Sequence, residues 1–214
     1  MTIPPTGATR ANGPMLLADI SGYTAFLQNV AAAHAHDSGD DARIPDAYSM
    51  LSSLLDGIIG RIAPPFSLSK LEGDAVFAYA TDATELPRGA GMLACLADCY
   101  TDFQERLVTA HGIWTCDCGA CARSDALDLK FVLHTGSFVI QSIAGRQELV
   151  GPDVVMAHRL LKSRAAEVAE RRSYALITAA AAAWFEIPGE DALPLSETFE
   201  HYAPIDSLVF PLPA

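Results

Sequence analysis

Leu16-Leu17-Ala18-Asp19-Ile20-Ser21-Gly22-Tyr23-Thr24 and Lys70-Leu71-Glu72-Gly73-Asp74-Ala75-Val76-Phe77 are the stretches that decide the fold. In each, an aspartate stands where an apolar run meets a glycine turn, so a strand delivers a carboxylate to a sheet edge. Taken singly, Asp19 reads as a helix cap and Asp74 as a hairpin residue. Taken together, they are enough for a hard divalent cation: magnesium commonly uses one or two protein carboxylates and takes its remaining oxygens from water and phosphate.

Working outward from the first stretch, Met15 to Ile20 reads as a buried strand, preceded by a loose Pro/Gly leader over residues 1–13. Thr24 to Ala33 and Asp46 to Ile62 have helical spacing, with His34 to Asp41 a polar loop between them. The second stretch is a hairpin, Phe66 to Leu71 and Ala75 to Ala80 around Glu72-Gly73-Asp74. A long helix spans Gly89 to Ala110. Leu127 to His134 and Ser137 to Ile143 read as two strands of a central hairpin turning at Gly136. A short strand at Gln147 to Val150, a helix Asp153 to Ala169, strands Tyr174 to Thr178 and Leu208 to Leu212, and an alanine-rich helix Ala179 to Phe185 complete the pass. This order predicts a single α+β domain over residues 14–214, a ferredoxin-like sandwich with a mostly antiparallel sheet.

Composition narrows the function. The chain has 214 residues, half of them apolar, and a formal charge of −12. Nucleic-acid affinity comes largely from basic side chains, so DNA and RNA are not expected partners. The absence of a signal pattern, and of an apolar run long enough to span a bilayer, leads to the expectation of a cytoplasmic protein without a membrane partner.

The motifs resemble the class III nucleotide cyclase domain. Its Asp-Ile-x-Gly-Phe-Thr element is similar to Asp19-Ile20-Ser21-Gly22-Tyr23-Thr24, and its Lys-x-x-Gly-Asp element matches Lys70 to Asp74. Its His-x-Gly element and Gly-x-x-Val-Asn-x-Ala-x-Arg-Leu helix start are approximated by His134-Thr135-Gly136 and by Gly151 to Leu160. A bacterial cyclase-like family known only as a domain of unknown function resembles the chain more closely still. The shared elements are Cys-x-Cys-Gly-x-Cys (Cys116 to Cys121), Leu-Lys-Phe-Val-x-His (Leu129 to His134) and Ala-His-Arg-Leu-Leu-Lys (Ala157 to Lys162).

The resemblance implies that Asp19 and Asp74, with the Ile20 carbonyl, hold two magnesium or manganese ions. It implies that Gly22, Tyr23 and Thr24 present amides to phosphates at a helix start. Lys70 and Glu148 match purine-recognising positions and suit adenine, and Arg159 matches the arginine that stabilises transferred phosphate. The implied ligand is a nucleoside triphosphate, ATP, and the implied reaction is its conversion to cyclic AMP and pyrophosphate. The site would form across a homodimer interface, with Glu148 and Arg159 facing the two aspartates from a second subunit. Two departures point instead to a binding or sensory module without turnover. Val155 stands where catalytic members have a ribose-orienting asparagine, and neither Lys nor Arg follows Arg172.

A third function class rests on the cysteine-rich insertion at about 111–123. Cys116, Cys118 and Cys121 lie within six residues, and with His111 they form a candidate structural zinc set, as for an interaction scaffold. Ordinary surface thiols are the alternative. Cys95 and Cys99, one helical turn apart, read as small core residues or as donors of a fourth ligand. His134 and His158 read as structural before catalytic.

Overall fold

The computed structural model describes residues 7–35, 44–82, 84–113, 116 and 118–213. Of the polar loop expected at His34 to Asp41, residues 36–41 lie outside this set. The elements are β1 Thr9–Ser21, α1 Tyr23–Ala33, α2 Asp46–Ile62, β2 Ser67–Glu72, β3 Ala75–Tyr79, α3 Ala90–Ile113, β4 Asp128–Ile143, β5 Arg146–Val150, α4 Pro152–Leu160, α5 Ala165–Val168, β6 Tyr174–Thr178, α6 Ala179–Phe185, β7 Leu193–Glu197 and β8 Ile205–Pro211. A 3₁₀ turn, Cys121–Ala126, leads into β4.

Among the described residues, eight strands form one sheet in the order β2-β3-β1-β4-β6-β8-β7, with β5 paired to the far half of β4. Every pairing is antiparallel except β4 with β6. The mixed α/β class and mostly antiparallel sheet are therefore as the element order predicts.

The sheet separates two apolar layers, and the period-two alternation of β1 assigns residues between them. Leu16, Ala18 and Ile20 face α1, α2, α3 and α6. Met15 and Leu17 face α4 and α5, together with Phe77 and Val132. By the same alternation Asp19 and Lys130, directly opposed in the β1–β4 register, are on the α4 side. Among the described residues, no helix is long and apolar enough to cross a membrane.

Several expectations need correction. Of the loose leader expected over residues 1–13, residues 1–6 lie outside the described set and Thr9 to Gly13 belong to β1, pairing with β4 from Ile140 to Gly136. Pro14 does not stop this strand.

The central hairpin does not exist: β4 is one 16-residue strand. Gly136 marks a close approach, since a Cβ there would collide with the Asp153 carboxylate, which accepts a 2.7 Å hydrogen bond from the Ser137 amide. The true hairpin lies at Ala144-Gly145, where both residues have positive φ.

The helix expected at Asp153 to Ala169 breaks after Leu160. There the Lys162 and Ser163 amides tighten onto Arg159 and Leu160, and the Arg164 amide is taken by the Glu197 carboxylate at 2.7 Å. Strand β7 escaped notice because it contains Pro194; as the edge strand of the sheet it tolerates a proline.

Candidate functional site

β1 ends at Ser21, and Gly22 turns the chain into α1 with φ 84°. Glycine is required twice over here: the left-handed conformation disfavours a side chain, and a Cβ would meet the Ala126 carbonyl oxygen at 2.5 Å. This turn sets the start of α1 beside Asp19. The β2–β3 hairpin, with Gly73 at φ 67°, brings Lys70, Glu72 and Asp74 to the same end of the sheet.

Between these elements and α4 lies a cavity of about 670 Å³ lined by Asp19, Thr24, Lys70, Glu72, Asp74, Lys130, Val154, Val155, His158, Arg159, Leu161 and Lys162. Four of the chain's 14 Lys and Arg residues are in this wall: Lys70, Lys130, Arg159 and Lys162. In a chain of net charge −12 this concentrates positive charge where an anionic ligand would need it.

Asp19 and Asp74 are close enough to act on one another. Burial first, then the Asp19 carboxylate, pushes the Asp74 carboxyl above its ordinary range, while Lys130 pulls it back. Asp19 itself is paired with the Lys130 ammonium at 2.9 Å, both side chains less than one-fifth exposed. The mutual repulsion and all-oxygen donor set fit a hard divalent cation. Ile20 points its side chain into the layer opposite the cavity, so only its main chain remains as a donor. Tyr23 packs beside the same core, and burial followed by proximity to Asp74 raises its phenol pKa.

Lys70 forms ion pairs with Glu72 at 2.8 Å and with Glu148 at 3.4 Å. Its pKa is raised, first by the hydrogen bond to Glu72, against burial. One chain thus brings Lys70 of β2 and Glu148 of β5 together. The same chain supplies Arg159 to the wall shared with Asp19 and Asp74. Arg159 donates to the Glu200 carbonyl at 2.9 Å and lies over the Tyr202 ring at 5.2 Å, so the segment before β8 holds it. Val155 is nearly half exposed in the cavity wall.

Lys130 and Lys162 were missed by sequence reasoning. The signal for Lys130 was available: a lysine between Leu129 and Phe131, in a strand otherwise buried, needs a partner. His158 pairs with Glu72 at 3.2 Å and meets the Phe77 ring edge-on, so it is held on both sides. His134 sits at 3.1 Å from the Thr178 hydroxyl, outside the cavity.

The zinc set is also corrected. His111 is engaged elsewhere, 3.2 Å from the Leu107 carbonyl and 3.1 Å from that of Ala122, with the Ser124 hydroxyl also in reach. His34, at the C-terminus of α1, takes its place. Its Nε2 lies 3.2 Å from Cys118 Sγ, 3.5 Å from Cys116 Sγ and 3.7 Å from Cys121 Sγ. Burial raises the Cys118 thiol pKa, but hydrogen bonds from Cys121, Cys116 and His34 outweigh it and bring it to about 6. Cys99 instead is a core thiol, pushed to about 12 chiefly by burial. It supplies no fourth ligand.

Solved structures similar to this chain include nucleotide cyclases. The guanylyl cyclase Cya2 superposes with a TM-score of 0.62 at 13% identity, over 95% of this chain and 93% of that one. The adenylyl cyclase CyaB from P. aeruginosa gives 0.60 at 12%, over 95% of each chain. Identities this low establish a shared fold alone. An uncharacterized protein of Mycobacterium tuberculosis, Rv2561/Rv2562, is 32% identical over 118 residues, 53% of this chain; the match spans about half of that relative's length, 51%. The family described as "Protein of unknown function (DUF2652)" matches residues 51–170, which include the β2–β3 hairpin, the cysteine loop, β4 and α4. With more than half of its length inside that match, the chain belongs to the DUF2652 family and carries the fold of the nucleotide cyclases.

Proposed function

We propose that this chain binds a nucleoside triphosphate, ATP, with magnesium or manganese in the cavity between the β2–β3 hairpin, the start of α1 and α4. The observation that carries this reading is the convergence of Asp19 and Asp74 with four cationic side chains in one cavity of an acidic chain. Neither charge type suffices alone: the carboxylates repel a triphosphate until a divalent cation bridges them, and the cations answer phosphate charge the metal leaves over.

Asp19, Asp74 and the Ile20 carbonyl hold the metal. Thr24 and the amides of Gly22 and Tyr23 receive phosphate at the start of α1. Lys70 and Glu148 address adenine as donor and acceptor, and Lys130, Arg159 and Lys162 neutralise phosphate. When bound, the metal lowers the pKa of the ribose 3′-hydroxyl and holds the leaving phosphates. The reaction this layout serves forms the bond from the 3′-oxygen to the α-phosphorus and breaks that to the pyrophosphate oxygen. The hydroxyl proton passes to solvent, giving cyclic AMP and pyrophosphate. Exposed Leu68, Leu71, Ile143, Val150 and Val155 on β2, β4, β5 and α4 support a homodimer. Such a ligand is a cytoplasmic one.

A second reading, binding without turnover, is favoured by Val155, which cannot orient a ribose by hydrogen bonding. Calorimetry with ATP and manganese tests binding. Heat lost in Asp19→Ala and Asp74→Ala supports the proposal, and no metal-dependent binding to the wild type overturns both readings. Chromatography of the same mixtures separates them: cyclic AMP above the Asp19→Ala background establishes turnover, and its absence leaves the binding module.

A further inference from the structure

We propose that His34, Cys116, Cys118 and Cys121 form a closed, structural zinc site that ties the end of α1 to the loop after α3. The four donor atoms all lie within 4.8 Å of one another. Zinc bonds of about 2.3 Å to sulfur and 2.0–2.1 Å to nitrogen, set at the tetrahedral angle, separate an imidazole nitrogen from a thiolate sulfur by about 3.6 Å. The three observed separations, 3.2, 3.5 and 3.7 Å, bracket that value.

Hydrogen bonding alone does not account for this cluster. One imidazole nitrogen has either a single lone pair or a single proton, whereas three sulfurs converge on His34 Nε2. A tetrahedral cation accepts all four donors at once.

The identity of the metal follows from the donors. Three thiolates and an imidazole in a four-coordinate arrangement select zinc over the hard cations expected at Asp19 and Asp74. Four protein ligands leave no open position, so the site is structural. On binding, the three thiols release their protons to solvent, and with neutral imidazole the centre carries one net negative charge. The ligands join residues 82 to 87 positions apart, so the ion closes a long loop between α1 and the 3₁₀ turn. Cys121 is fully buried, and Cys116 and Cys118 pack partly against the core on this side. The site is separate from the nucleotide cavity and stands or falls independently of it.

Elemental analysis of the full-length protein, purified without chelator and dialysed against zinc-free buffer, tests the assignment. The expected result is one zinc per chain, retained in His111→Ala and lost in His34→Ala and Cys118→Ser. His34→Cys restores it, since four cysteines also hold zinc. Because a ligand variant can fail to fold, cobalt is exchanged into the wild-type protein as well. Tetrahedral ligand-field bands with sulfur charge transfer support the site. Zinc well below one per chain after reconstitution, octahedral cobalt spectra, or loss of zinc in His111→Ala with retention in His34→Ala would overturn it.

Discussion

At Asp74, burial and the neighbouring Asp19 carboxylate both work against ionisation. A carboxyl whose folded pKa is raised binds its proton more tightly folded than unfolded, so it adds stability below the ordinary carboxylate range. That contribution is lost as pH rises through the raised value, and at neutral pH ionised Asp74 is a burden that the proposed cation would relieve. Asp74→Asn should therefore melt a few degrees higher than wild type in chelator, yet gain nothing from added manganese. Thermal denaturation with and without metal reads both effects, and a lower melting temperature in chelator contradicts the repulsion. Lys130 poses the converse case. Lys130→Met strands the Asp19 carboxylate and should cost roughly 1–3 kcal/mol in urea denaturation without metal. The same variant should bind manganese more tightly than wild type, because the ammonium no longer competes for Asp19; unchanged manganese affinity in a calorimetric titration would refute that competition.

Among the elements, β4 shows where sequence patterns inform and where they mislead. Its alternation is legible, and so are the α2 boundaries, the β2–β3 hairpin and β6, since each depends on local periodicity and turn residues. The glycine in His134-Thr135-Gly136 was misread because glycine marks both turns and close approaches, and only the position of Asp153 distinguishes them. Gly136→Ala should accordingly destabilise the protein by about 1–3 kcal/mol, by forcing Asp153 away from the Ser137 amide. A lower urea midpoint with unchanged slope checks this, and a midpoint within error of wild type rules it out. The candidate site was legible in its two aspartate motifs, which are contiguous in sequence. Lys130 and His34 were not, because each acquires its role from a partner far away in the chain: Asp19 across the β1–β4 register, and cysteines more than 80 residues on.

For the whole molecule, two histidines couple stability to pH. Burial is the main influence holding His134 and His158 below the ordinary histidine value, opposed by Asp153 and Glu72 respectively. The 3.9 Å separation of His134 from Asp153 is too long for a hydrogen bond, so burial prevails there. A lowered pKa gives stability that is complete above about 6.5 and is lost as pH falls through the depressed folded value. The urea midpoint should fall on acidification through that window, and the fall should be shallower in His134→Gln; a parallel decline in the two proteins would assign the effect elsewhere.

The boundaries of the family match do not coincide with those of the sheet. In space β1 lies between β3 and β4, but in sequence it precedes the family match at residues 51–170. A fragment cut to that match would keep β3 and β4 but lose β1 from between them and β6, β8 and β7 from beyond β4, leaving one edge of β3 and both sides of the first half of β4 open to other chains. It should be recovered as aggregate, whereas a fragment of residues 9–211, which keeps all eight strands, should be recovered soluble; a soluble 51–170 fragment would refute this. What similarity delimits here is the most recognisable part of the chain, whereas autonomy belongs to the span that closes the sheet.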